Sequence, residues 1–413
     1  MWVSERYIVL LSRRTSMPTP RPAERGAILE AKRRLKMARS THAYVRGNTV
    51  KFYEWLAESR ASRYVPEGPA IWICGDCHLG NLGPINDGDG RIAIQIRDLD
   101  QAVIGNPAHD LIRLGLSLAT AARGSDLPGV TTAHMIEEMV TGYARAMRDP
   151  GGDDSGPEPD VVRSVKRRAL GRRWRHLAKE RLRTEEPMIP LGDKFWPLDS
   201  EERSGLAAVL AEPDVTALVL ALDDKDRDRT VRLVDAAYWM KGCSSLGLLR
   251  FAALAGLKNA KGRSDYALID LKEATAPIAP AVKQAAMPTD QAVRVVTAAR
   301  ALSPHLGSRM VAARMLDRSL FVRELSPQDL KLEVEQFSAG QAVKAARYLA
   351  FVVGKAHARQ LSRDERAEWT QVLDADRRGA IDAPGWLWES VVALAGLHEA
   401  GYLNHCRQYA LGA

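Results

Sequence analysis

The sequence predicts an α+β fold in two lobes, on three observations. Segments with apolar residues three and four apart occupy both ends of the chain. A stretch of alternating isoleucines, Ile92, Ile94 and Ile96, forms half of a hairpin with carboxylates at its end. A β-rich stretch over 231–330 carries a glycine- and serine-rich turn and a strand ending near Lys272. The expected division is a flexible basic tail over 1–25, a helical lobe with the hairpin over 26–230, a β-rich lobe over 231–330, and a helical segment over 331–413 that completes the first lobe.

The 413 residues can bury one large core or two smaller ones, and 46% apolar with 27% charged residues is ordinary for a globular chain. A net charge of +8 suits an anionic partner, whether nucleotide, nucleic acid or anionic lipid. The four cysteines include one CxxC, Cys74 and Cys77, with no second pair to complete a four-thiolate zinc site; they read as small buried residues in a reducing compartment. No apolar run approaches about 18 residues, so no membrane insertion is expected. Tyr7–Leu11 is too short for an export signal, and a cytoplasmic location is expected.

In chain order, 26–60 reads as helix, broken at Arg46-Gly47. Pro69–Cys74 is a short apolar strand ending at Gly75. Asn86–Gly90 is a turn between two extended stretches, the second delivering Arg97-Asp98. Asn106-Pro107 is a helix start, with Asn as cap and Pro in the first turn. Residues 149–160 form a linker. A densely basic helix follows over 161–183, read as a solvated face or as a groove for phosphates. Trp174 is the only aromatic within it, so nucleic-acid binding is not favoured. Gly242–Gly247 is the glycine- and serine-rich turn, followed by strands at 248–254 and 266–273. Residues 290–302 and 308–317 read as helices, 321–325 as extended, and 341–359 and 385–410 as helices.

The chemistry concentrates in Gly75-Asp76-Cys77-His78 with Asn81, then Asp98-Leu99-Asp100, then Gly105–Asp110. Phosphoryl transfer needs a carboxylate to orient or deprotonate a hydroxyl, oxygen ligands for Mg²⁺, a cation on the phosphates and a backbone cradle over them. Asp76 suits the first role, Asn81 and Asp98 the metal, with Asp100 as a second carboxylate ligand. Gly242, Ser244, Ser245 and Gly247 suit the cradle, and Lys272 the phosphates. The same carboxylates with His78 could hold a hydrolytic metal; His78 is read as a catalytic candidate beside Asp76, and equally as a brace for the backbone. An Asx-turn network that only shapes the hairpin is the bland alternative. No partner glutamate for Lys272 is apparent: 290–302 offers Arg294 and Arg300, and Glu273 alternates to the other strand face. His357 and Arg359 read as polar residues of a packed helix that brace the loop.

Through these blocks, together with Tyr44–Gly47, Asp110–Leu114, Val322–Leu325 and Ala356–Arg359, the chain resembles a bacterial family of unknown function, number 2252. That family in turn resembles the aminoglycoside-phosphotransferase branch of the protein-kinase-like fold. There a Gly-Asp-x-His-x-x-Asn run is followed by a hairpin leading to a metal-binding Asp, and then by a Gly-x-Pro-x-x-Asp helix start. The resemblance implies Asp76 as catalytic base, Asn81 and Asp98 on Mg²⁺, and Asp110 stabilising the loop, with Arg46, His357 and Arg359 as structural support. In ordinary kinase-like enzymes the glycine loop and Lys precede the catalytic loop. Here they follow it by about 160 residues, which implies a circular permutation with the catalytic hairpin N-terminal to the glycine-rich loop and Lys strand. Ser244 stands where the family more often has glycine, and Leu82 and Leu99 where it more often has aromatics.

The expectation is therefore a kinase-like phosphotransferase using ATP or another nucleotide and Mg²⁺ on an unknown small-molecule or protein acceptor. The alternatives are a metal-dependent phosphohydrolase and a non-catalytic, pseudokinase-like nucleotide-binding or interaction module.

Overall fold

The computed structural model describes residues 20–86, 91–152, 158–171, 188–221, 229–243, 245–258, 264–325, 338–375, 377 and 381–409. It shows an α+β fold of helices with antiparallel sheets. Among the described residues, no helix is long and apolar enough to cross a membrane. Residue 174 and the rest of the basic segment beyond Gly171 lie outside the described residues, as does Ser244.

The first helices are α1 (Pro22–Met37), α2 (Thr41–Gly47) and α3 (Thr49–Glu58). Four short strands follow: β1 (Ile71–Ile73), β2 (Leu82–Asn86), β3 (Ile92–Ile96) and β4 (Val103–Gly105). They pair as β1 with β4 and β2 with β3, both antiparallel. α4 (Pro107–Gly124) starts as its sequence requires: the Asn106 side chain accepts the Ala108 N–H, with Pro107 in the first turn. It is buried on every side from Pro107 to Ala122 except at His109. α5 (Gly129–Arg148) and α6 (Asp160–Gly171) complete this part.

A six-stranded antiparallel sheet has the order β5-β6-β7-β8-β10-β9. Its strands are β5 (Phe195–Trp196), β6 (Thr230–Trp239), β7 (Arg250–Lys258), β8 (Ser264–Glu273), β9 (Met310–Met315) and β10 (Arg318–Glu324). The two-residue period sorts its side chains. Phe251, Ala253, Ile269, Leu271, Leu320 and Val322 form one apolar face, packed on α7 (Ser200–Ala211) and α8 (Pro213–Leu220). The other face carries Arg250, Asp270, Lys272, Phe321 and Arg323, aligned by the register Arg250↔Lys272 and Arg323↔Asp270. α9 (Gln291–Leu302), the short α10 (Pro304–Gly307), α11 (Ala339–Ala358), α12 (Arg363–Asp374) and α13 (Gly385–Tyr409) are the remaining helices.

Several expected boundaries differ. Residues 308–317 form β9 and a turn, not a helix: Ala312-Ala313 favours helix locally, but Met310 to Met315 pair with Arg323 to Arg318. Leu316 and Asp317, at φ +53° and +56°, close the hairpin with the twist that two-residue turns need. The tail ends earlier than 25, because α1 begins at Pro22 and Arg25 is buried against Glu202, Nη1 to Oε1 2.6 Å. The boundary at 231 falls inside the sheet, since Phe195 pairs with Trp239. The strand expected from 248 starts at Arg250.

Candidate active site

The loop after β1 turns at Gly75, where φ is +72° and a Cβ would lie 2.2 Å from the Gln101 carbonyl oxygen, so only glycine fits. Asp110, at the start of α4, holds this turn. Its carboxylate accepts the Cys74 N–H at 2.7 Å and the Gly75 N–H at 2.9 Å, while the Tyr53 hydroxyl donates to the Gly75 carbonyl. Behind Asp110 is a buried relay. His357 Nε2 meets Oδ2 at 3.1 Å, Tyr143 O–H meets His357 Nδ1 at 2.8 Å, and Trp369 Nε1 donates to the Tyr143 oxygen at 3.2 Å. Asp110 accepts, so His357 carries its hydrogen on Nε2 and accepts from Tyr143 at Nδ1.

The turn presents Asp76 at 6% exposure. Arg113, fully buried one turn along α4 from Asp110, donates Nε to Asp76 Oδ1 at 2.8 Å and Nη2 to the Val45 carbonyl. Burial raises the Asp76 carboxyl above its usual range, and Arg113 opposes the rise. Asn81 spends its amide nitrogen on the Asp76 carbonyl at 2.9 Å, leaving its oxygen to offer a cation. His78 Nε2 lies 3.8 Å from Asp76 Oδ2, beyond hydrogen-bond reach, and burial with Arg46 and Arg113 lowers its pKa well below the usual value. Its ring is neutral and packed beneath the loop. The Arg46 guanidinium lies so close to Gly80 that a Cβ there would be 2.7 Å away. Cys74, Cys77, Leu82 and Leu99 are buried core residues.

β3 delivers Asp98, and Asp100 follows in the next turn. Lys272, buried on β8, reaches both, with Nζ 3.2 Å from Asp98 Oδ1 and in contact with Asp100 Oδ2. Burial alone would raise the Asp98 carboxyl, but Lys272, with Arg323 and Arg250 behind it, holds it below the usual range. Asp100 is pushed up to about 6 by burial and by the Asp98 charge. Its Oδ1 is buried without a hydrogen-bond partner, a spare hard oxygen beside Asp98. Next along the same strand face, Asp270 takes a two-bond fork from Arg250 (2.9 and 2.5 Å) and a further pair from Arg323.

The glycine turn stands opposite. Gly242 has φ +101° and no room for a Cβ beside Ser245 Oγ, 2.5 Å away. Lys36 Nζ holds the Gly242 carbonyl at 2.9 Å. Between this turn and the loop lies a cleft of about 330 Å³, lined by Asp76, Asn81, Asp98, Asp100, Ser245 and Leu246 among others. That volume suits a small-molecule ligand. The structure thus brings Asp76, Asn81, Asp98, Asp100, Ser245 and Lys272 together. His78 is buried within the loop, Arg46 packs against Gly80, and Asp110 and His357 hold the turn. Arg359 does not: it donates to the Leu302 carbonyl at 2.9 Å and braces the end of α9 instead.

Two residues of the site escaped the sequence reading. Arg113 sits at the i+3 position from Asp110, which places both on one helix face, and that spacing was the available signal. Arg294 of α9 bonds the carbonyls of Asp100, Ala102 and Thr275, tying the 98–102 loop to the segment after β8. Glu273 accepts the Leu249 N–H and takes no part at Lys272. The carboxylates that meet Lys272 come from the 98–100 loop, not from a helix.

Residues 27–408 match the family described as "Uncharacterized protein conserved in bacteria (DUF2252)", and the chain belongs to that family. No curated protein and no solved structure matches it.

Proposed function

We propose that the chain is a Mg²⁺-dependent phosphotransferase of kinase-like, circularly permuted design, taking its phosphoryl group from ATP or another nucleotide. The observation that carries this reading is Lys272 against Asp98 and Asp100, two carboxylates that line one cleft with Asp76 and Asn81. These groups are 172 to 196 residues from Lys272 in sequence, and they supply the separate parts that phosphoryl transfer needs.

Asp98 and Asn81 would hold the metal, with the spare Asp100 oxygen beside them. One carboxylate, one amide and the substrate's own phosphates satisfy Mg²⁺. When bound, the ion would supply positive charge to the transferring group. Lys272 now neutralises the two carboxylates, and a metal ion in its place would free the ammonium for phosphate. Asp76 would orient the acceptor hydroxyl or amine and take its proton on Oδ2, because Oδ1 is engaged by Arg113. Burial raises the proton affinity of Asp76, which suits a base, and Arg113 opposes that rise. Ser245 and the backbone of its turn would cover the phosphates.

Two other readings are weighed against this. A metal-dependent phosphohydrolase needs several protein ligands on its ion, and among the described residues no three His, Cys, Asp or Glu side chains gather for one. A non-catalytic nucleotide-binding module is favoured by one observation, the Arg113–Asp76 ion pair, which weakens the base. The test is ATP binding by calorimetry and phosphoryl turnover with Mg²⁺ for wild type, D76N and D98N. The enzyme reading expects nucleotide binding in wild type, turnover lost in both variants, and binding kept in D76N. No nucleotide binding by the wild-type chain sinks it; binding without turnover selects the non-catalytic module.

A further inference from the structure

A second cavity, of about 610 Å³, lies behind the hairpin and shares no lining residue with the cleft. β3 forms one wall and α11 another. Among the described residues, four cationic side chains, Arg91, Lys166, Lys355 and Arg359, line it with one carboxylate, Glu158. The cations are built in rather than loose. Lys166 contacts Glu158 and lies over the Tyr348 ring, Lys355 Nζ donates to the Gly152 carbonyl at 2.9 Å and lies over Phe351, and Arg359 is anchored on Leu302.

The second observation is Gln95. It lines this cavity at 7% exposure, and its Oε1 has no hydrogen-bond partner. A buried carbonyl oxygen without a donor is rare and costly. A lining rich in cations asks for an anion, and an orphaned acceptor asks for a donor. A bare inorganic anion would leave most of the volume empty.

We propose that this cavity binds a compact hydroxylated phosphate ester of the sugar-phosphate class. Its phosphate lies among Lys166, Lys355 and Arg359, and a hydroxyl donates to Gln95 Oε1. Gln95 is three residues ahead of Asp98 on the same strand, and Lys355 and Arg359 flank His357, which holds Asp110. The ligand therefore sits behind both supports of the cleft, and the site stands whatever the cleft itself binds.

The test is calorimetric titration of the full chain with glucose 6-phosphate and glycerol 3-phosphate, with glucose and inorganic phosphate as controls. At least one ester binds saturably with Kd below about 1 mM, and about tenfold or more tighter than either control. Q95L folds at least as stably as wild type, because it removes the orphaned oxygen. It weakens the ester about tenfold while leaving inorganic phosphate unchanged. K355M weakens both. The proposal is overturned by no saturable binding of either ester up to about 10 mM, by equal affinity for inorganic phosphate, by binding indifferent to both Q95L and K355M, or by binding that K272M abolishes and K355M leaves intact.

Discussion

Replacing Asp110 by Asn tests whether the buried carboxylate holds the Gly75–Asp76 turn in shape. Its oxygens accept three donors, Cys74 N–H, Gly75 N–H and His357 Nε2–H. An amide has one oxygen. Turned to keep Cys74 and His357, it points its own N–H at the Gly75 N–H. That breaks a bond to a charged group, about 1.5–3 kcal/mol, and leaves a buried donor facing a donor, about 1–3 kcal/mol more. D110N therefore costs about 4 kcal/mol, a large part of the roughly 5–15 kcal/mol that holds a typical domain. Y143F, in the middle of the relay, removes two neutral bonds, the one to His357 and the one from Trp369, and costs about 2–3 kcal/mol. Urea unfolding measures both, and the double variant measures their coupling through His357, expected at about 0.5 kcal/mol or more. A D110N loss under about 1 kcal/mol, or strict additivity with Y143F, would refute the claim that this carboxylate and its relay set the turn.

Three further outcomes follow from the same geometry. K272M leaves Asp98 and Asp100 facing each other without their shared cation, so MgATP affinity, read by calorimetry, falls about tenfold or more; unchanged affinity places the nucleotide elsewhere. G75A forces a Cβ into the Gln101 carbonyl at a left-handed φ, and thermal unfolding should show a loss of about 3 kcal/mol or more. Asp270, bonded by Arg250 and Arg323, has a carboxyl held low in the fold: burial would raise it, and the two guanidiniums override that. A group with a depressed folded pKa contributes stability that is present above its unfolded value, near 4, and lost as pH falls. Acid titration of stability should therefore show a fall below about pH 4 that flattens in D270N, itself several kcal/mol less stable at pH 7; parallel curves would exclude Asp270 as a source of the acid lability.

Much of the site was legible because its chemistry is local. Gly75, Asp76, Asn81 and Asp98 sit on turns and strand ends whose signals, Ile alternation and Asn-Pro capping, span a few residues. Asp110 entered only through the family resemblance, as the acid that closes the Gly-x-Pro-x-x-Asp helix start. What was missed depends on distance in the chain. The 310–315 strand carries a helix-favouring Ala-Ala, and only its partner β10 decides otherwise. Arg113 reads as one more helical arginine until Asp76 is set against it. Arg294 looked like an obstacle where a glutamate was wanted, and its role as a bridge between 100, 102 and 275 exists only once α9 is docked.

By itself, then, the sequence determined which acids, amide and lysine are candidates for a common site and which turns would present them. Hydrophobic period and turn chemistry act over a few residues, and the needed acids, amide and lysine are written there. Only the tertiary structure decided that Lys272 meets Asp98 and Asp100, that Arg113 neutralises Asp76, and that Gln95 faces a cation-rich cavity. Those are encounters between segments far apart in the chain, set by how one sheet face packs on one loop, and no local pattern encodes them.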